Sequence, residues 1–219
     1  MVDLAGDAPP LEDQLYYYDF VINMLNHFDT VTENATRLAV VIAADATVAA
    51  PILLSDTSLT TATREERINV TMNNLNGGLL DLTAALNFVR NTVFQASNGH
   101  RSDATKVVIY LSSIASTMNS EFVTEEAREA HSEGIRIYSI GVGSSTYTAG
   151  STALLELQTV ASDPRIEDEA YFIVDNFASL DGERVNIAQT VCTAEPAFVP
   201  RMTSSCIASA FRLPLPLLH

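Results

Sequence analysis

Three groups of oxygen-bearing side chains in this sequence are of a type and spacing that could do chemistry. Asp3 and Asp7 stand four residues apart in Asp3-Leu4-Ala5-Gly6-Asp7. Ser112, Ser113 and Ser116 follow the apolar run Val107 to Leu111. Glu125, Glu126 and Glu129 accompany Arg128 on a stretch with helical spacing. Carboxylates and hydroxyls are the ligands that a hard cation such as Mg²⁺ or Ca²⁺ takes. The glutamates read as a solvated helix face. The serines lack the Gly-x-Ser-x-Gly elbow of a hydrolase. Gly141-Val142-Gly143-Ser144-Ser145 is glycine-rich but lacks the lysine of a phosphate-binding loop. None of His27, His100, His131 and His219 stands at a recognised spacing from a nucleophile. The chain is therefore read as non-catalytic.

The elements that must position these groups centre on residues 105–143. Val107 to Leu111 is a continuous apolar strand, and Ile135 to Val142 is a second. Between them lies a helical stretch with Ala127 and Ala130 inward, ended by Gly134. Strand, helix, strand at this length is a βαβ unit, whose strands are parallel and buried on both faces. The expected fold class is α/β: a doubly wound, mostly parallel sheet flanked by helices. Ligands of such folds bind where strand carboxyl ends meet loops, here the loop beginning at Ser112.

Elsewhere the pattern predicts helices over Leu11 to Phe28, Arg64 to Leu75, Asp81 to Gln95, Ser151 to Val160 and Phe177 to Cys192. On the first, Leu11, Leu15, Tyr18, Ile22 and Leu25 form the expected apolar stripe. Leu38 to Ala44 and Ala170 to Val174 read as buried strands, and Pro51 to Leu54 as an edge strand. Val2-Asp3-Leu4 is too short for a core strand. The reading places one domain at 1–192 and a proline-punctuated tail or linker at 193–219.

Composition excludes some functions. A net charge of −15 in 219 residues repels phosphate backbones and anionic membranes, so no nucleic-acid partner is expected. No stretch approaches the ~20 apolar residues that span a bilayer. The only cysteines, Cys192 and Cys206, are candidates for a disulfide. Asn34 and Asn69 head Asn-x-Thr triplets, which are glycosylated only in the secretory pathway. No basic region followed by an apolar run marks a signal peptide at Met1.

Several phrases, in order, resemble the von Willebrand factor type A domain. They are Asn76-Gly77-Gly78 with Thr83 to Arg90, Gly99-His100-Arg101 before Lys106 to Leu111, Gly134 to Gly143, and Tyr171 to Leu180. The resemblance covers about residues 3–192 and is to domains of matrix and adhesion proteins, such as those of collagen VI and matrilins. It implies a metal-ion-dependent adhesion site: Asp-x-Ser-x-Ser after the first strand, a Thr after the Gly-Gly turn, and an Asp after the fourth strand. Two hydroxyls and a Thr would leave a bound Mg²⁺ electrophilic enough to take a partner's carboxylate.

Carried over residue by residue, Asp3 matches that motif. Ala5 and Asp7 replace its two serines, Leu79 or Leu80 stands where Thr belongs, and Ser113 replaces the Asp. The site is thus expected to be degenerate, with no metal or other cofactor. The competing reading keeps a weak Mg²⁺ or Ca²⁺ among Asp3, Asp7, Ser112 and Ser113. The family's central first strand would here be reduced to its end, as in a truncated chain whose missing part also held the signal peptide. The function implied by the resemblance is an extracellular, non-catalytic module. Its partners would be proteins, collagen or other matrix and cell-surface components among them. The alternatives are a structural unit in a multi-domain matrix array and an intracellular scaffold.

Overall fold

The computed structural model of the chain describes residues 1–3, 11–28, 36–75 and 77–193. Six strands form one sheet: β1 (Val2–Asp3), β2 (Val40–Ala44), β3 (Thr47–Ile52), β4 (Lys106–Ser112), β5 (Ile135–Val142) and β6 (Tyr171–Val174). Their order is β3-β2-β1-β4-β5-β6, and every neighbouring pair is parallel except β2 with β3. The βαβ unit is present as expected, with β4 and β5 in unbroken register from Lys106↔Ile135 to Ser112↔Gly141.

Helices α1 (Leu11–His27), α2 (Thr61–Asn74) and α6 (Leu180–Thr193) cover one face. Helices α3 (Leu82–Phe88), α4 (Val123–Ser132) and α5 (Thr152–Val160) cover the other. Strand residues divide between the faces with period two. Val40, Ile42, Leu111, Tyr138 and Ile140 enter the first core, while Val41, Ala43, Val108, Tyr110 and Ile137 enter the second. Arg90, two residues past α3, ties this segment to Glu126 of α4 at 2.9 Å and to Glu133 at its end at 2.6 Å.

Four expectations need correction. The first concerns Val2 and Asp3, which do form a core strand: they lie at the sheet's centre, paired with Ile42 and Ala43 on one side and Leu111 on the other. Two residues suffice there because both flanking strands already hold their positions through other neighbours. Secondly, the deepest residues of α1 are Tyr17, Phe20, Val21 and Met24, with Phe28 just past its end; of the expected stripe Tyr18, Ile22 and Leu25 pack against the same core only partly buried, and Leu15 is 60 % exposed. The rings of Tyr17, Phe20 and Phe28 bury more apolar area than the aliphatic side chains of the expected stripe. A third difference lies in the expected helix from Asp81 to Gln95, which is α-helical only to Phe88 and continues as a π turn, Val89–Val93. Finally, β3 begins at Thr47, because Asp45 and Ala46 both have positive φ and form a two-residue hairpin turn.

Candidate functional site

At the carboxyl rim of the sheet, loops meet above β1. The chain leaves β2 through Asp45 and Ala46, returns from α2 through residues 77–81, and leaves β4 through residues 113–122. Gly78, with φ of +72°, packs against Asp45, where a Cβ would lie 2.5 Å from the carboxylate. Gly77 and Leu79 accept the amide N–H groups of Asp45 and Ala46 at 3.1 and 2.9 Å. The loop after α2 is thereby fastened to the hairpin turn.

Leu80 is fully buried, and its backbone is the meeting point of the rim. Its carbonyl accepts the N–H groups of Thr117 and Met118 at 3.0 and 2.9 Å. It also accepts the hydroxyls of Ser116 and Thr117 at 3.2 and 3.3 Å. The Leu80 N–H donates to the Thr117 hydroxyl at 2.8 Å. Leu79, next to it, is 49 % exposed.

The loop after β4 is held from its other side too. The Ser112 hydroxyl donates to the Ile114 carbonyl at 2.7 Å, and the Tyr147 hydroxyl donates to the Ser112 carbonyl at 2.9 Å. Tyr147 reaches it by lying on Gly141, where a Cβ would sit 2.8 Å from the ring. The Ser116 N–H donates to the Glu156 carboxylate at 2.8 Å. Asp81 caps α3 by accepting the Ala84 N–H at 2.8 Å, and accepts Asn119 Nδ2 at 2.6 Å. Beside that pair runs an open groove of about 420 Å³, lined by Val48, Asp81, Thr83, Asn87, Phe88 and Asn119 among others.

A family model, described as the von Willebrand factor type A domain, matches residues 12–184. The chain belongs to that family. No curated protein matches the sequence. Among solved structures, this von Willebrand factor type A domain resembles proximal thread matrix protein 1 from the mussel byssus, with a TM-score of 0.68 and 19 % identity. That match covers 87 % of this chain and 47 % of the mussel protein, so the chain spans about half of its length. Manganese-loaded Plasmodium vivax TRAP protein matches with a TM-score of 0.54 and 17 % identity, over 85 % of this chain and 72 % of that one. BatB from Bacteroides thetaiotaomicron, a conserved hypothetical protein, matches with a TM-score of 0.56 and 13 % identity, over 87 % and 96 %.

The structure of the domain brings Leu79, Leu80 and the loop containing Ser113 to the one rim where β1 ends at Asp3. Ser113 is half-buried at the start of that loop. The Asp3 side chain, Ala5 and Asp7 lie outside the described residues, as do Asn34, the Cys192 side chain and Cys206. Asn69 is exposed on α2, where its side-chain oxygen accepts from Asn73 at 3.1 Å. No helix among the described residues is long and apolar enough to cross a membrane.

Sequence reasoning missed Thr117, Tyr147 and the Asp81–Asn119 pair. Gly141 inside an apolar strand was a usable signal, because glycine there marks a close approach. Nothing in the spacing of Thr117 announces its bonds to Leu80.

Proposed function

We propose that residues 1–192 form a non-catalytic protein-interaction module of an extracellular matrix or adhesion protein, and that it holds its partner without a metal bridge. Residues 193–219 serve as a tail or linker, and Cys192 and Cys206 are candidates for a disulfide. The observation that supports metal independence is the bonding around Leu80. A hard cation at this rim needs oxygen ligands and retained water. The chain instead offers a buried leucine side chain, a half-exposed one at Leu79, and serine and threonine hydroxyls already bonded to the Leu80 backbone. These residues do not fit a divalent ion.

The histidines favour the non-catalytic reading. His27 ends α1, His100 lies in the loop before β4, and His131 is near the end of α4, all toward the end of the sheet away from the rim serines. The extracellular reading draws support from a mussel byssus matrix protein among the similar structures. A second reading, a spacer in a multi-domain array, is favoured by the chain matching only 47 % of that protein.

The test is binding of the full chain to immobilised matrix proteins, collagen included, in Mg²⁺ and in EDTA. Equal binding in both is expected. Binding that EDTA abolishes overturns the proposal. Mass spectrometry of Asn69 from the native source tests compartment, since attached sugar excludes the cytosolic scaffold.

A further inference from the structure

Both ends of the sheet carry carboxylates, but only one of them mixes cations with these in its loops. The loops at the carboxyl rim, residues 45–46, 77–81, 113–122, 143–151 and 175–179, contain no Lys, Arg or His. They contain Asp45, Asp81, Glu121 and Asp175, of which all but Asp81 are exposed. At the other end Arg37 before β2, Arg101 and Lys106 at the entry to β4, Arg136 at the entry to β5 and Arg165 before β6 stand among Asp56, Asp103, Glu133, Asp163, Glu167, Asp168 and Glu169.

The same rim carries apolar surface. Leu79 is 49 % and Phe122 54 % exposed, and Met118 between them in the fold is half-buried. Neither Leu79 nor Phe122 lines the groove beside Asp81 and Asn119 itself, but the Leu79 carbonyl accepts the Ala46 N–H at 2.9 Å, two residues before the groove's Val48, and the Phe122 N–H donates to the carbonyl of the groove's Asn119 at 3.0 Å. Along its walls Val48, Ala84 and Phe88 supply apolar contact, and Asp81 is the single charge. That carboxylate is already held by the Ala84 N–H and by Asn119, which fixes it without neutralising it. A fixed carboxylate beside apolar side chains suits a guanidinium or ammonium carried next to an aliphatic side chain. The chain's overall charge of −15 would steer such a group inward.

We propose that this groove, with Leu79 and Phe122 at its edge, docks an exposed segment of a partner protein in which Arg or Lys flanks an apolar residue. The sign of the recognised charge is thus opposite to that taken by a cation-bearing rim. This rests on the metal-independent reading above and adds the chemistry of the partner.

The experiment uses the full chain and two fluorescein-labelled peptides, Gly-Arg-Leu-Arg-Leu-Lys-Gly and its counterpart with Glu at each basic position, in EDTA and in Mg²⁺. Anisotropy is expected to show the basic peptide bound at least tenfold more tightly, equally in both buffers. Asp81→Asn, which preserves an equally good helix cap, and Leu79→Ser should each weaken it about fivefold or more. Asp103→Asn, at the opposite end, should change it less than twofold. Equal loss with Asp103→Asn would reduce the effect to overall charge and overturn the proposal. Tighter binding of the acidic peptide in EDTA overturns the sign but leaves metal independence standing. Acidic-peptide binding that requires Mg²⁺ overturns both. Self-association of the chain alone through Leu79, seen by sedimentation and lost in Leu79→Ser, would assign the surface to a second copy and also overturn the proposal.

Discussion

The two ends of β1 are built in opposite ways. Above Asp3 the loops close on one another, with Leu80 buried and its backbone bonded to Ser116, Thr117 and Met118. Below Met1 nothing among the described residues pairs with that side of β2 or β4. The amino group of Met1 donates to the Ile109 carbonyl at 2.7 Å, and Val107, Ile109, Leu38 and Ala39 around it are only partly buried. A loop can supply its own donors, acceptors and apolar cover. The gap between two strands can be satisfied only by another extended backbone. The rim end is fastened by its own loops, whereas at the other end of β1 the Met1 amine meets the backbone of β4 directly.

The largest effect expected from this contrast is on pH. Burial pushes the Met1 amine down to a pKa of about 5 from its ordinary 8.0, so the fold favours its neutral form. That contribution is fully present above pH 8, declines as pH falls, and is gone below pH 5. The loss across that window is at most about 4 kcal/mol, since the bond to the Ile109 carbonyl favours the charged amine. Urea denaturation of the chain beginning at Met1, followed from above pH 8 down to pH 5, should show it. An N-acetylated chain should lose this component, and a pH response unchanged by acetylation would mean the amine is solvated.

At the closed end, Leu80→Ala should cost about 3 kcal/mol, as for a fully buried leucine. Leu79→Ala, one residue away and half-exposed, should cost less than about 0.5 kcal/mol. Equal costs at the two positions would erase the distinction between core and surface leucine.

Adding three apolar, β-branched residues before Met1 sharpens the contrast from the open end. Each would continue β1 between β2 and β4, burying a side chain worth about 1.5–3 kcal/mol against an ordering cost of about 1–2. A net gain of about 2 kcal/mol is expected, with slowed hydrogen exchange at Ile109. No gain and no protection would show that the gap is already filled in solution.

A smaller loss than at Leu80 is expected at Thr117. Thr117→Val removes the hydroxyl that accepts from Leu80 N–H at 2.8 Å, and should cost about 1 kcal/mol. Exchange of the Leu80 amide should quicken with it. An unchanged amide would show that the loops are fastened by other groups.

Much of this fold was legible because its signals are local and repeated. The apolar runs of β4 and β5, the inward Ala127 and Ala130, and the Gly134 stop fix the βαβ unit without long-range information. The leucines at 79 and 80 were also readable, as apolar residues in the loop after Gly77-Gly78. What separates them was not: periodicity does not tell which of two adjacent leucines in a loop turns inward. The α1 stripe was legible in part for a related reason: Tyr18, Ile22 and Leu25 do pack against the core, but Tyr17, Phe20 and Met24 have helical spacing equally and are buried more deeply. Two residues at the sheet centre offer too little pattern to be recognised as a strand, and their place depends on partners about 40 and 110 positions away.

The most direct test of the account is calorimetric titration of the full chain with Mg²⁺, Ca²⁺ and Mn²⁺. The bonding at Leu80 predicts no saturable heat up to millimolar metal. One-to-one binding of any of the three in the micromolar range would contradict it.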